Sequence, residues 1–207
     1  MKCKNKLSKR VLNLTLVTGW IGIFILLGIR ASNAQAQGGS DAGLVAYWKM
    51  EEGTGTTVVD SAGNGHDLTL TSPPATPQWS TDVPSLTGGN NASLVFDGAD
   101  DYAYAFPLSE TAGSSQLTVE TWVKFDSPLP AGYRTVLEAV QTGLQQQWGL
   151  ATIGNELHVV IYDTCCSGAD QPTVETVGAN LQPGQWYHVA FVYDGSGATD
   201  TNVCVSI

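Results

Sequence analysis

The chain has 207 residues, with nine basic side chains against nineteen acidic ones, a formal net charge of −10 and four cysteines. Six of the basic residues fall in the first 30 positions and every acidic residue lies from Asp41 onward, so the body of the chain sets Lys49, Lys124 and Arg134 against all nineteen carboxylates. A surface of that sign repels nucleic acid and anionic lipid, and no glycine-rich phosphate cradle stands ahead of a helix, which excludes nucleic acids and nucleotides as partners.

The first element is an export signal. Lys2, Lys4, Lys6, Lys9 and Arg10 precede an apolar run from Val11 to Ile29, and Ser32-Asn33-Ala34-Gln35-Ala36 follows with small residues at cleavage spacing. A basic start, an apolar middle and an A-x-A-like end predict a signal helix over residues 1–36. The run is longer than the usual signal and close to a bilayer span, so an uncleaved anchor is the alternative. Basic residues stay on the cytoplasmic side in both cases. The remainder is therefore secreted or held at the cell surface, and touches membrane only through this segment. Residues 37–42 read as a linker and residues 43–207 as one domain of ordinary size.

Beyond the linker the pattern is that of short strands. Leu44 to Met50, His66 to Thr71, Ser93 to Asp97 and Tyr102 to Phe106 alternate or run apolar. Leu117 to Phe125 then puts Leu117, Val119, Thr121, Val123 and Phe125 on one face and Thr118, Glu120, Trp122 and Lys124 on the other. Tyr133 to Ala139, Trp148 to Thr152, Glu156 to Asp163 and Trp186 to Tyr193 complete the series, the last apolar on both faces and so expected in the middle of a sheet. A helix over Arg134 to Gln147 competes, but Gly143 and the glutamines 145–147 favour a strand followed by a loop. Gly53-Thr54-Gly55, Gly63-Asn64-Gly65, Asp97-Gly98, Gly154-Asn155 and Asp194-Gly195 break the runs. Many short strands with turn signals between them indicate a sandwich or barrel. Asn202 to Ile207 reads as a further strand that stops without a turn, the expectation being a domain that lacks its last strands.

Four of these blocks, taken together, resemble a known family. They are Leu44-Val45-Ala46-Tyr47-Trp48 running on to Asp60-Ser61-Ala62-Gly63-Asn64-Gly65-His66-Asp67; Ser93-Leu94-Val95-Phe96-Asp97-Gly98; Leu117-Thr118-Val119-Glu120-Thr121-Trp122; and Trp186-Tyr187-His188-Val189-Ala190-Phe191. In that order they are similar to laminin-G-like jellyroll domains of the concanavalin A-like lectin/glucanase superfamily. The resemblance implies an all-β, two-sheet antiparallel jellyroll sandwich. It also implies a non-catalytic module that binds glycans or extracellular proteins, with one structural calcium ion at the rim.

Candidate site residues follow from chemistry. Calcium takes six to eight oxygens from carboxylates, amides and backbone carbonyls. Asp60, Gly63 and Asn64, in a glycine-rich turn, can offer them, against the alternative that Asp60 and Asn64 bond only their own backbone. Asp97-Gly98-Ala99-Asp100-Asp101 is a second acidic turn, in which Asp100 and Asp101 can reach a cation or, the favoured reading, simply face water. Trp79, in the proline-rich stretch from Pro73 to Pro84, is the aromatic best placed to stack on a sugar, or else to plug one end of the sandwich, while Trp48, Trp122 and Trp186 lie in strands and read as core. Cys3 leaves with the signal, and Cys165 or Cys166 with Cys204 is the natural bridge, since adjacent cysteines pair only with strain. Catalysis finds no support. Glu51 and Glu52 would face opposite sides of a strand, Glu120 is alone on its own, and His66, His158 and His188 have no nucleophile motif beside them. The reading is an exported recognition module for carbohydrate or a surface protein. The alternatives are a ligand-free spacer or the accessory domain of a secreted glycoside hydrolase.

Overall fold

The structure, a computed structural model, describes residues 2–4, 23–30, 43–74, 76–86, 89–105, 108–111, 114–127, 129, 131–141, 145–161, 173–175, 178–195 and 202–207. In chain order the strands are β1 (Lys2–Lys4), β2 (Ile23–Arg30), β3 (Leu44–Trp48), β4 (Thr57–Val58), β5 (Leu68–Leu70), β6 (Gln78–Ser80), β7 (Ser93–Phe96), β8 (Ala103–Tyr104), β9 (Gln116–Phe125), β10 (Tyr133–Gln141), β11 (Gln145–Ile153), β12 (Glu156–Ile161), β13 (Thr173–Glu175), β14 (Trp186–Asp194) and β15 (Asn202–Ser206). A single 3-10 turn, Ser109–Thr111, is the only helical segment among the described residues, and none of these is long and apolar enough to cross a membrane.

The architecture is an all-β antiparallel sandwich. An eight-stranded sheet runs β1-β15-β14-β9-β2-β7-β6, with β3 paired to β2; a four-stranded sheet runs β10-β11-β12-β13; and β4-β5-β8 form a third. Every strand pair is antiparallel. The three sheets share one core. Val119, Val123 and Phe125 of β9 and Val189 and Phe191 of β14 meet Trp148 and Leu150 of β11, Leu157 and Val159 of β12, and Val58 and Leu70 from the small sheet. The Trp148 and Phe191 rings stand edge to face, centroids 5.8 Å apart, and join the large sheet to the four-stranded one. Side chains alternate across a strand, so β9 buries its aliphatic face and turns Gln116, Thr118, Glu120 and Trp122 outward, where they are half-buried.

Local chemistry accounts for the turns. β11 and β12 are joined by Gly154-Asn155 alone, and Gly154 sits at φ +57°, a conformation a two-residue hairpin demands at its first position. The glutamines 145–147, expected in a loop, instead open β11. β10 offers them an antiparallel partner, with register irregularities at Thr135/Leu137 and Ala139/Val140. β14 does lie inside the large sheet, between β15 and β9. Its outer face is not buried as expected, however: Trp186 is half-buried and His188 exposed, and among the described residues no second sheet covers that side of the strand.

The N-terminal run presents a difference. Ile23–Arg30, part of the apolar segment expected to form a signal helix, is a strand here, paired with β9 on one edge and with β3 and β7 on the other. An aliphatic eight-residue segment beside two open strand edges satisfies its backbone as well in a sheet as in a helix. Residues 11–22 of that run, and 31–36, lie outside the described residues.

Candidate functional site

The rim turn between β4 and β5 is built on one carboxylate. Asp60, buried, accepts backbone N–H bonds on Oδ1 from Tyr47 at 3.0 Å and Ala62 at 2.9 Å, and on Oδ2 from Asn64 at 3.0 Å and His66 at 3.3 Å. Burial pushes its carboxyl up, but the four donors outweigh that and hold it below the usual carboxylate range. Asn64 turns its amide nitrogen to the Leu44 and Val45 carbonyls at 2.8 and 2.9 Å, and the Asp60 backbone N–H donates to Asp67. Gly63 and Gly65, at φ +79° and +83°, give the turn its shape. Beneath it the Trp48 indole donates to the His66 carbonyl at 2.6 Å. The carboxylate, the amide and the glycines therefore bind the turn to β3, and both Asp60 oxygens face hydrogen-bond donors.

The next rim turn is chemically different. Between β7 and β8, Asp97, Asp100 and Asp101 bring a carboxylate oxygen each to within 4.8 Å of one another. Asp97 Oδ1 accepts the Ala99 N–H at 2.8 Å, while its own N–H donates to Asp101 Oδ2 at 3.0 Å. Gly98 at φ +73° allows the chain to fold back. Burial, reinforced by the negative charge of Asp97 and Asp100, raises the Asp101 carboxyl above its ordinary value despite that hydrogen bond. Three carboxylate oxygens this close are half or less of the six to eight that a calcium ion takes, and their mutual repulsion is what a divalent cation would relieve.

A third constellation lies on the outer face of β9 and β14. The register sets Trp186 opposite Lys124, His188 opposite Trp122 and Ala190 opposite Glu120. The Trp122 and His188 rings are 5.2 Å apart at 49°, and His188 Nε2 lies 3.7 Å from Glu120 Oε2. At the end of the strands Asp82 receives the Lys124 ammonium on Oδ2 and the Trp186 indole N–H on Oδ1 at 3.0 Å, while Lys124 stands 5.8 Å over the Trp186 ring. Asp126 is a second partner of Lys124 at 3.6 Å. The Lys124 hydrogen bond, opposed by burial and aided by Trp186 and the ammonium charge, keeps the Asp82 carboxyl below its usual range. Ser93 Oγ donates to the Asp82 carbonyl at 2.7 Å and pins that loop against β7. Two indoles, an imidazole and carboxylates on one partly exposed strip, with the largely buried Lys124 ammonium held by Asp82 at its end, offer both ring faces and polar edges to a ligand.

The other sequence candidates fall as follows. Trp79 is in strand β6 rather than a loop. It packs against the core, and its indole N–H donates to the Gly55 carbonyl at 2.9 Å. Trp48 is core, as expected; Trp122 and Trp186, read as core, face outward because they occupy the polar parity of their strands. His158 is buried in β12 and His188 is exposed on the outer face. Cys204 is disulfide-bonded and stands opposite Cys3 in the β1–β15 register, while Cys165 and Cys166 lie outside the described residues. Sequence reasoning missed Asp82, Lys124, Trp186 and His188 as a group. The alternation of β9 was the signal for half of it; the other half needs the β9–β14 register and the path of the loop after β6.

No curated protein and no solved structure matches the chain. A laminin-G-type family profile, described as the concanavalin A-like lectin/glucanases superfamily, matches residues 96–205, which takes in the Asp97 turn and both strands of the outer strip. The antiparallel sandwich, the order of its strands and that match together place the chain in the concanavalin A-like lectin/glucanase superfamily, as a laminin-G-like jellyroll domain of the kind that binds carbohydrate or protein.

Proposed function

We propose that the chain is an exported, non-catalytic recognition module that binds carbohydrate on the outer face of β9 and β14. The observation that carries this reading is the outward placement of Trp122 and Trp186 with His188, Glu120 and Asp82 at their edges. Sugar rings present apolar faces that stack on indoles and hydroxyls that bond carboxylates and imidazole. Export is supported by the basic–apolar–small order of the first 36 residues and by the acidic body of the chain. A structural calcium belongs to the reading at Asp97, Asp100 and Asp101 rather than at Asp60, Gly63 and Asn64, because three carboxylates come within 4.8 Å of one another there, whereas both Asp60 oxygens are taken up by four backbone N–H donors.

A glycan array probed with the protein and with Trp122→Ala, each with calcium and with chelator, tests it. The expected result is a defined glycan set bound by the parent chain and reduced at least tenfold by the substitution. Chelator is expected to weaken binding less than the substitution does, since the acidic turn is a separate feature of the rim. Equal binding by parent and variant, or no glycan bound in either condition, overturns the carbohydrate reading and leaves a protein ligand or a spacer.

A further inference from the structure

The register surrounds one outward acid with small residues. Glu120 of β9 stands opposite Ala190 of β14 on one side and Gly28 of β2 on the other, and Ala190 stands opposite Ser206 of β15. The next outward row toward Lys124 sets Trp122 against His188, and the next row the other way sets Thr118 against Val192. Directly opposed residues share a face, their Cβ atoms about 4.5–5.5 Å apart. The row Gly28–Glu120–Ala190–Ser206 is therefore a shallow groove across four strands, with larger side chains on both banks and one carboxylate on its floor. Trp122 and His188 make the aromatic bank, rings 5.2 Å apart. Glu120 Oε2 lies 3.7 Å from His188 Nε2, and the acid's side chain is 38% exposed.

The charges around this groove are unequal. Asp82, Asp126 and Asp194 stand with Glu120 on the strip or at its ends, whereas Lys124 is 10% exposed and shared between Asp82 and Asp126. Arg30, in register with Thr118, adds one cation and leaves the carboxylates in excess. A sulfated or uronic chain meets that excess as repulsion. An ammonium meets it as attraction: a carboxylate accepts its charge-assisted hydrogen bond, and an indole face draws the same charge.

We infer, on the carbohydrate reading of this strip, that the groove selects a saccharide carrying a protonated amine. Glu120 receives the ammonium and Trp122 stacks on the sugar ring, while Ala190 and Gly28 leave the room in which the amine reaches the floor.

Calorimetric titration of the full chain at neutral pH with a glucosamine hexamer, its N-acetylated counterpart and a heparin-derived hexasaccharide tests the assignment. The free-amine hexamer is expected to bind roughly tenfold or more tighter than the acetylated one, and the heparin fragment more weakly than either. Heats in two buffers of different ionisation enthalpy should show proton uptake with the free-amine hexamer, because the bound amine is held protonated. Glu120→Gln should abolish the preference for the amine and the proton uptake together. Ala190→Leu, which fills the floor, should weaken the free-amine hexamer roughly tenfold. Melting temperatures of the two variants, taken on the same samples, separate a filled or neutralised groove from a lost fold. Equal binding of the amine and acetylated hexamers, absence of proton uptake, tighter binding of the heparin fragment, or a preference that survives Glu120→Gln overturns the assignment. Any of these alongside glycan binding that depends on Trp122 leaves the carbohydrate reading standing; no glycan bound at all removes both.

Discussion

The Trp186 indole donates to Asp82 across a sequence separation of 104 residues, at 3.0 Å, on the same carboxylate that receives Lys124. The loop after β6 is thereby fastened to the ends of β9 and β14, and the acid helps to orient an outward indole. Asp82→Ala is expected to destabilise the protein by about 1–2 kcal/mol: the acid itself is well exposed, but the largely buried Lys124 is left with Asp126 at 3.6 Å. Denaturant titration measures the loss, and Trp186 fluorescence should shift with it.

The same acid sets a pH dependence. Its folded-state value lies below the ordinary carboxylate value of 3.8, so its contribution is fully present above that pH and is lost as pH falls through the folded value. Asp60, also held low, acts in the same direction. Asp82→Asn should therefore flatten the acid limb of the stability curve below about pH 4. An acid limb identical to that of the parent chain would remove Asp82 from the account.

Asp60→Ala takes one acceptor away from four backbone N–H groups at the rim. A loss of about 2–4 kcal/mol is expected, since the side chain is buried and its donors have no ready substitute. Amide exchange should speed at Ala62, Asn64 and His66 before it does in β9 or β14.

At the neighbouring turn the sign reverses. The Asp101 carboxyl is raised, so its ionisation costs stability, and that cost grows as pH rises through its folded value. Calcium should raise the melting temperature by a few degrees at neutral pH and have less effect near pH 4. Asp100→Asn should weaken the calcium effect and leave the chelated protein as stable as before or slightly more so. A melting temperature indifferent to calcium removes the cation from this turn.

Two tryptophans distinguish the face from the core. Trp148→Ala should cost about 3–5 kcal/mol, because that side chain is 2% exposed and stands against Phe191. Trp122→Ala, on the outer strip, should cost no more than about 1–2 kcal/mol while reducing ligand binding at least tenfold. Calorimetry and binding measured on the same samples separate the two effects.

Much of the fold is legible in the sequence, because burial on one face of a strand writes itself as alternation. Leu117 to Phe125 shows it plainly, and Gly154-Asn155 marks its hairpin. The short strands β4, β6 and β13 are not legible. Two or three residues carry no period, and their pairing is decided by neighbours distant in the chain. The same limit applies to the site. Glu120 and Trp122 share a visible parity, and that parity turns Trp122 outward against the burial its residue type suggests. The meeting of Asp82 with Trp186 has no local trace at all, since both the loop path and the β9–β14 register must be known before the two can be brought together. The glycines around Asp60 mark a turn closed by that carboxylate's own hydrogen bonds.

In β9 neighbouring residues serve opposite masters: Thr121 and Val123 are buried while Trp122 between them faces outward. Deleting one residue from the middle of this strand would slide half of it by a single step, carrying an indole toward the interior and a valine to the water. Point substitutions on the outward parity leave that frame untouched. The strand can therefore be rewritten letter by letter to suit a new ligand, but it does not tolerate a change in its count.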